Sequence, residues 1–165
     1  QIEHKYKMSG PAFLKSLLVS QFPQTVKNGG AVIVVEENTT LKAAMELLVS
    51  NGIYSAPVRS DSEDQFIGMF DMIDVVHFIA ENFEEASIMG PGFEGEFQQA
   101  EKFLHAHVKD VVDFSRRNPF VPVPDDASMF TIGELLADLS VHRVNVFNSE
   151  GKLANIITQS AMVAL

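Results

Sequence analysis

The stretch Gly68-Met-Phe-Asp-Met-Ile-Asp74 is matched in pattern, 87 residues later, by Asn155-Ile-Ile-Thr-Gln-Ser-Ala161. In both stretches an apolar run typical of a strand leads into residues with helical spacing. Upstream of these junctions the two regions align without a gap at an offset of 88, so that Thr40 corresponds to Ser128. A fixed offset over this length indicates that one structural unit is present twice in the chain.

The first copy predicts the element order strand, helix, strand, strand, helix. A continuous β-branched run at 31–35 is typical of a buried strand, and a threonine at 39 or 40 caps the helix that follows. Asn51-Gly52 ends that helix, because glycine readily adopts the left-handed conformation of a helix terminus. The remaining elements are predicted at 55–59, 66–70 and 73–82.

The second copy repeats this order. Its opening segment, 120–123, contains Pro122 and therefore predicts a strand at the edge of a sheet. Ser128 caps the following helix. The apolar stripe of that helix is predicted to consist of Met129, Ile132, Leu135, Leu136 and Leu139. The remaining elements are predicted at 143–147, 153–157 and 158–165.

Composition limits the functions that the chain can have. It has 165 residues, of which 46% are hydrophobic and 21% charged, as in a globular protein with a sizeable core. A formal net charge of −10 disfavours binding to nucleic acid, whose backbone attracts clustered lysine and arginine. The absence of cysteine and of a long apolar run predicts an intracellular protein, cytoplasmic or nuclear, that does not bind a membrane.

Neither an enzyme nor a metal site is predicted. The chain has no Gly-x-Ser-x-Gly elbow and no phosphate-binding P-loop. His105 and His107 are two residues apart, so on a helix they face different directions, and a third metal ligand is not evident.

Both copies resemble CBS (cystathionine-β-synthase) domains. The resemblance lies in Ser55-Ala-Pro-Val58 and 67–76 of the first copy, and in 142–153 of the second, which is similar to repeats of γ-type subunits of the AMP-activated/SNF1-related kinases. It implies an α+β fold of two β-α-β-β-α repeats packed around a pseudo-twofold axis, a Bateman module. The implied organisation is repeat 1 with an N-terminal helix at 11–83, a linker with a helix at 84–108 and repeat 2 at 109–165.

The resemblance also implies a regulatory function. Modules of this kind bind AMP, ADP, ATP or adenosine in clefts between the repeats and modulate a partner protein or an attached domain. They require no cofactor and are usually not catalysts. A homodimer or a larger regulatory complex is implied, as is a full-length chain with more than two repeats. The alternative is a CBS scaffold that binds no ligand and acts in dimerisation or protein–protein interaction.

The family's pattern Gly-x-x-Thr/Ser-x-x-Asp assigns candidate ligand residues in the first copy. Asp74 matches the acid that accepts both hydroxyl protons of a ribose. Asp71 stands where the family has threonine or serine, so either the phosphate of the ligand points elsewhere or the ligand is less anionic, such as adenosine. Tyr54 and Ala56 belong to the strand whose backbone reads the adenine edge. The residues alone allow another interpretation, in which Asp74 stabilises the macrodipole of its helix and Asp71 caps that helix.

The second copy has the opposite defect. Thr158 supplies the hydroxyl group, but Ala161 replaces the ribose acid. We therefore expect at most one working cleft, built on Asp74. His142 and Arg143 correspond to the basic pair that lies near phosphate in γ-type repeats, although a salt bridge is an alternative role for Arg143.

Arg116 and Arg117 precede the second copy in the sequence. They are further phosphate candidates, because the guanidinium fork matches phosphate oxygens. The alternative is a solvated basic pair on the surface.

Overall fold

The computed structural model of the chain describes residues 10–24, 31–63, 65–82, 103 and 105–164. Its helices are α1 (Gly10–Ser16), α2 (Leu41–Asn51), α3 (Met72–Asn82), α4 (Met129–Leu136) and α5 (Gln159–Val163). Its strands are β1 (Val35–Glu36), β2 (Ser55–Arg59), β3 (Phe66–Asp71), β4 (Pro122–Pro124), β5 (Arg143–Phe147) and β6 (Leu153–Thr158). No helix in the described part of the chain is long and apolar enough to cross a membrane. The predicted linker helix lies largely outside the described residues.

The chain folds into two compact units, each with one three-stranded sheet. The first-repeat unit runs from Ile33 to Phe120, and the second-repeat unit combines the described residues up to Val32 with those from Val121 onward. In each sheet a parallel pair of strands is followed by an antiparallel pair, in the orders β1-β2-β3 and β4-β5-β6. The α+β class and the element order predicted for both copies are confirmed.

Local capping explains where the first helix of each repeat begins. Thr40 caps α2 because its hydroxyl accepts a hydrogen bond from Ala43 N at 3.3 Å. Ser128 caps α4 in the same way, accepting from Thr131 N at 3.1 Å. Gly52 ends α2 with φ 63°, a conformation that residues with a Cβ adopt rarely. The cap residues are those that the sequence predicts.

Each unit has its own apolar core between its sheet and its helices. The core of the first-repeat unit includes the buried residues Leu41, Ala44, Leu48, Ala56, Val58 and Phe70. The core of the second-repeat unit includes Met129, Ile132, Leu136, Val144, Val146 and Ile157. Because side chains alternate along a strand, the neighbouring residues Ser55, Pro57, Arg143 and Asn145 lie on the opposite faces of the two sheets.

Two expectations about element ends are wrong. Leu139 is not part of the apolar stripe of α4, since that helix ends at Leu136 and Leu139 is 90% exposed. The carboxylate of Asp138 accepts a hydrogen bond from Ser140 N at 2.8 Å, and this turn competes with continuation of the helix. The predicted strand at 31–35 is also shorter, because β1 pairs with β2 only through Val35 and Glu36.

Each unit includes a segment that precedes the other repeat in sequence. Met129 N, at the start of α4, donates to the carbonyl of Leu17 at 2.8 Å. In the first-repeat unit the equivalent bond runs from Leu41 N to the carbonyl of Ala106 at 3.0 Å. The two acceptor residues are separated by 89 positions, so these flanking segments follow the repeat as well.

The flanking segments also complete the cores. Val19 and Phe22 are buried in the core of the second-repeat unit, and Val108 and Val111 in that of the first-repeat unit. The packing therefore differs from the predicted grouping of the N-terminal helix with repeat 1. The sequence does not reveal which flanking segment packs on which repeat. The two segments are equivalent and so are the two helices, so either segment could supply the carbonyl group that either helix needs.

Candidate functional site

The junction between β3 and α3 is built by two aspartates. Asp71 Oδ1 accepts a hydrogen bond from Ile73 N at 3.0 Å and so caps α3. Asp74 Oδ2 accepts in turn from Asp71 N at 3.1 Å. Together the two bonds form a reciprocal capping box, which satisfies two backbone donors at the helix start.

The second carboxylate oxygen of Asp74 holds a distant loop. Asp74 Oδ1 accepts from Ser115 N at 2.9 Å, and the Asp74 side chain is fully buried. Burial raises the pKa of Asp74, and the negative charge of Asp71 adds to this, whereas the hydrogen bonds from Ser115 and Asp71 oppose it. A ribose contact by Asp74 stays a prediction, and it requires the buried carboxylate to become accessible to the ligand.

The loop that contains Ser115, residues 111–117, is fastened to the first-repeat unit at further points. Asp113 N donates to the carbonyl of Met69 at 3.1 Å. The ring of Phe114 packs edge-on against Phe78 of α3, with ring centroids 5.6 Å apart. These contacts fix the backbone of the loop on the β3–α3 junction.

The loop also approaches β3 very closely. A Cβ built on Gly68 would lie 2.6 Å from Cγ2 of Val112, so only glycine allows this approach without a shift. The glycine at the start of the repeated pattern thus has a packing role. It lets the loop lie directly on the strand.

The predicted adenine-edge residues have very different surroundings. The side chain of Tyr54 is 79% exposed. Ala56 is fully buried in the core of its unit, so a ligand contact by Ala56 would have to use its backbone. The carbonyl of Tyr54 accepts from Met72 N at 3.0 Å, which joins the start of β2 to the start of α3.

In the second-repeat unit the strand register brings two predicted phosphate residues together. Arg143 of β5 pairs directly with Thr158 of β6, so their side chains lie on the same face of the sheet. The Thr158 hydroxyl caps α5 by accepting from Ala161 N at 3.1 Å, and it lies 3.0 Å from the hydroxyl of Ser160. Arg143 and Thr158 are therefore direct neighbours.

His142 and Gln159 form a second polar contact beside this pair. His142 Nδ1 lies 3.3 Å from Gln159 Oε1. The Gln159 amide also donates to the carbonyl of Leu136 at 2.9 Å, and Gln159 N donates to the carbonyl of His142 at 3.1 Å. Gln159 thus orients His142, a role that the sequence analysis missed because glutamine at this position carries no recognised signal.

Equivalent pairs of residues in the two sheets carry opposite charges. In the first-repeat unit Ser55 pairs with Asp71, where the second-repeat unit pairs Arg143 with Thr158. The first pair therefore offers a carboxylate and the second a guanidinium. An anion is attracted only to the second arrangement.

The predicted site residues fall into two groups. The first-repeat unit holds Tyr54, Ala56, Asp71, Asp74, Arg116 and Arg117. The second-repeat unit holds His142, Arg143 and Thr158. Within each unit the structure brings together Asp71 with Asp74, and Arg143 with Thr158. Action of both groups on one ligand stays a prediction.

An open depression of about 300 Å³ lies at the other end of the first-repeat sheet. It is lined by Glu36, Arg59, Ser60, Asp61, Ser62 and Glu63. Arg59 is paired with Glu36, and Ser60 and Asp61 are bonded to Glu37. Among the described residues no group of histidine, aspartate and glutamate side chains is arranged to hold a metal ion.

Comparison with known proteins places the repeats in a family. The model of the CBS domain matches residues 29–81 and 108–165. The chain belongs to the CBS domain family and contains two copies of the domain. The predicted tandem arrangement is confirmed.

Individual relatives are distant. The chain is 22% identical over 218 aligned positions to a "SNF1-related protein kinase regulatory subunit gamma-1-like" of Arabidopsis thaliana. The alignment covers 88% of this chain and 48% of that protein. The chain thus spans about half the length of this curated relative.

Solved structures show the same fold. The CBS domain of a CBS domain containing membrane protein from Sphaerobacter thermophilus has a TM-score of 0.66 at 19% identity, covering 94% of this chain and 91% of that one. CBSX2 in complex with AMP has a TM-score of 0.60 at 23% identity, with coverages of 90% and 94%. The CBS domain of a bacterial CNNM/CorC family Mg²⁺ transporter in complex with ATP has 0.63 at 17% identity, with coverages of 91% and 87%.

Proposed function

We propose that the chain is a regulatory CBS-pair module that binds an adenine nucleotide or an adenosine-type ligand and modulates a partner protein or an attached domain. CBS domains are typically regulatory and not catalytic, and two structural relatives were crystallised with AMP and with ATP. An attached domain or further repeats fit the greater length of the kinase γ-type relative.

The observation that carries this proposal is the pairing of Arg143 with Thr158. A guanidinium and a hydroxyl on adjacent strands offer several donors to the oxygens of one phosphate group. His142 lies next to Arg143 and is oriented by Gln159. The capped start of α5 contains only five residues, so the proposal rests on these side chains and not on the helix.

The charge of the first repeat supports a ligand with few phosphate groups. Asp71 occupies the position that corresponds to Thr158, and its carboxylate repels a phosphate. We therefore expect AMP or adenosine to bind more tightly than ATP. The predicted ribose contact of Asp74 and the adenine-edge contacts of Tyr54 and Ala56 belong to the same proposal.

The test is thermal unfolding with AMP, ADP, ATP and adenosine. A ligand present at 100 times its Kd stabilises the native state by about 2.7 kcal/mol. This corresponds to a Tm increase of roughly 5–11 °C for a protein of this size. Arg143→Gln should reduce the shift caused by AMP, whereas Lys152→Gln, which removes an exposed charge of the same unit, should leave it unchanged. Absence of a shift with all four compounds at millimolar concentration would overturn the proposal.

The second candidate function is a scaffold that binds no ligand and acts in dimerisation or protein–protein interaction. It is favoured by the surroundings of Asp74, whose two carboxylate oxygens already accept backbone hydrogen bonds in a fully buried position. Sedimentation analysis together with the ligand titrations separates the two functions. A self-associating chain without any nucleotide response supports the scaffold.

A further inference from the structure

Two arginines of the first-repeat unit differ from the other cations of the chain. The structure describes eight lysine and arginine residues. Six of them contact another group: Lys15, Lys42, Arg59, Lys109, Arg143 and Lys152. No described residue forms an ion pair, a side-chain hydrogen bond or a ring contact with the guanidinium of Arg116 or Arg117, and both residues are exposed. In a chain of net charge −10, two adjacent cations without a partner are unexpected.

The backbone that carries these arginines is strained. Asp113 and Arg116 have φ values of 50° and 54°, in the left-handed region that residues with a Cβ adopt rarely. Such features persist only where surrounding contacts enforce them, and they cluster at ligand-binding positions.

The contacts that hold the loop in this backbone conformation all come from β3 and α3. The buried carboxylate of Asp74 holds Ser115 N, the residue directly before Arg116. Met69 and Phe78 hold Asp113 and Phe114 on the preceding side. The position of the two arginines is therefore set by groups on the β3–α3 junction and not by their own side chains.

We propose that residues 111–117 form an anion-binding loop, in which Arg116 and Arg117 bind a phosphate group and Asp74 is the positioning residue that fixes the loop through Ser115. This inference rests on the nucleotide binding in the proposed function, and it replaces the ribose contact of Asp74 with a positioning role. The guanidinium groups of two consecutive residues carry two charges and several donors, which matches the doubly charged phosphate of a nucleoside monophosphate.

The first test uses the intact chain with pyrophosphate, AMP and adenosine as probes, measured by calorimetry at low salt. Arg116→Gly removes the charge and relieves the left-handed strain at the same position. We expect this variant to have an unchanged or higher Tm, yet to bind pyrophosphate and AMP at least about tenfold more weakly. Arg117→Gln should weaken the binding of pyrophosphate and AMP to a similar extent. The control Lys152→Ala should bind as the wild type does.

The second test separates positioning from ribose contact. If Asp74 only fixes the loop, Asp74→Asn weakens the binding of AMP and of pyrophosphate but leaves the binding of adenosine unchanged. If Asp74 holds the ribose, adenosine binding falls as well and the positioning role is overturned. Should Asp74→Asn not fold, the arginine variants decide the anion-binding role, and Ser115→Pro, which removes the N–H that Asp74 holds, replaces it in the adenosine comparison.

The failures of the two proposals are distinguishable. A wild-type chain that binds adenosine and AMP equally well and ignores pyrophosphate overturns the anion-binding loop and the phosphate role of Arg143, and it leaves an adenosine-type ligand as the proposed function. Pyrophosphate binding that Arg116→Gly and Arg117→Gln do not weaken also overturns the loop. Wild-type chain that binds none of the probes overturns both proposals.

Discussion

Ser115 donates its backbone N–H to Oδ1 of Asp74 at 2.9 Å, although 41 residues separate the two in sequence. The other oxygen of the same carboxylate accepts from Asp71 N. One buried side chain thus joins the end of β3, the start of α3 and the loop at 111–117. The acid that the family resemblance assigns to a ribose has a structural role within its own compact unit.

The pH dependence of stability should reveal this buried carboxylate. Burial raises the pKa of Asp74 above its ordinary value of 3.8, so protonation favours the native state. The stabilisation is complete below 3.8 and is lost as the pH rises through the raised pKa. We expect the stability of wild type relative to Asp74→Asn to increase as the pH falls from neutral, measured by urea unfolding at several pH values.

Asp138 provides a control of opposite sign. The backbone N–H and the hydroxyl of Ser140 lower the pKa of this exposed carboxylate. The ionised Asp138 carboxylate therefore stabilises the native state at pH values above its ordinary pKa, and this stabilisation is lost as the pH falls through the lowered pKa. The stability of wild type relative to Asp138→Asn should decrease in acid. Parallel pH curves for wild type and Asp74→Asn would contradict the burial of Asp74.

The close approach of Val112 to Gly68 predicts a costly small substitution. Gly68→Ala places a methyl group 2.6 Å from a stiff β-branched side chain, and we expect a loss of roughly 1–3 kcal/mol in the free energy of unfolding. Gly133→Ala is the matched control, since its Cβ meets only the flexible end of Met162 at 3.4 Å within α4. Combining Gly68→Ala with Val112→Ala should recover part of the loss. Equal effects of the two alanines would show that the loop does not lie on β3.

Asn145 predicts a substitution that stabilises the protein. Its side chain is fully buried on β5, and neither its Nδ2 nor its Oδ1 has a hydrogen-bond partner among the described residues. Asn145→Val removes this unsatisfied amide and should raise the free energy of unfolding by about 1–3 kcal/mol, measured by chemical denaturation. Asn145→Asp should destabilise by about 3 kcal/mol or more, because it buries an unpaired charge. A destabilising valine would indicate that the amide has a partner in solution.

Equivalent substitutions in the two flanking segments should reduce the free energy of unfolding by similar amounts. Val19→Ala and Val108→Ala each remove two methyl groups from a core, and each should cost on the order of 2 kcal/mol in unfolding experiments. Val163→Ala, at a side chain that is 87% exposed, should change stability by less than about 0.5 kcal/mol. A negligible cost at Val19 would mean that the segment before the first repeat does not support the second-repeat unit.

Local features of the fold could be predicted from the sequence because short-range bonds determine them. Thr40 and Ser128 cap helices by bonding to residues three positions away, and Gly52 ends its helix through its own backbone freedom. Leu139 was assigned wrongly because its spacing fits the apolar stripe, while the turn at Asp138 depends on a side-chain bond that competes with the helix.

The site could be predicted only in part, since its bonds join residues far apart in the chain. The repeat offset aligns Ser55 with Arg143 and Asp71 closely with Thr158, and this anticipates the contrast in charge between the two sheets. The bond from Ser115 N to Asp74 joins residues 41 positions apart, and the sequence gives no signal for it. The unsatisfied amide of Asn145 could have been predicted. Asn145 aligns with Pro57 at the offset of 88, and a carboxamide on a buried strand needs hydrogen-bond partners that a proline does not need.

The exchange of flanking segments has a consequence for synthesis on the ribosome. The first-repeat unit lacks Val108 and Val111 of its core until the segment that follows its own strands and helices has been made. The second-repeat unit joins Val19 to Ile157, so it closes only after the intervening first repeat has been synthesised. The segment that contains Val19 therefore remains without its core partners until the second repeat has been translated. Premature termination after the first repeat would leave a chain that exposes this segment, which makes it a natural target for chaperones or proteases.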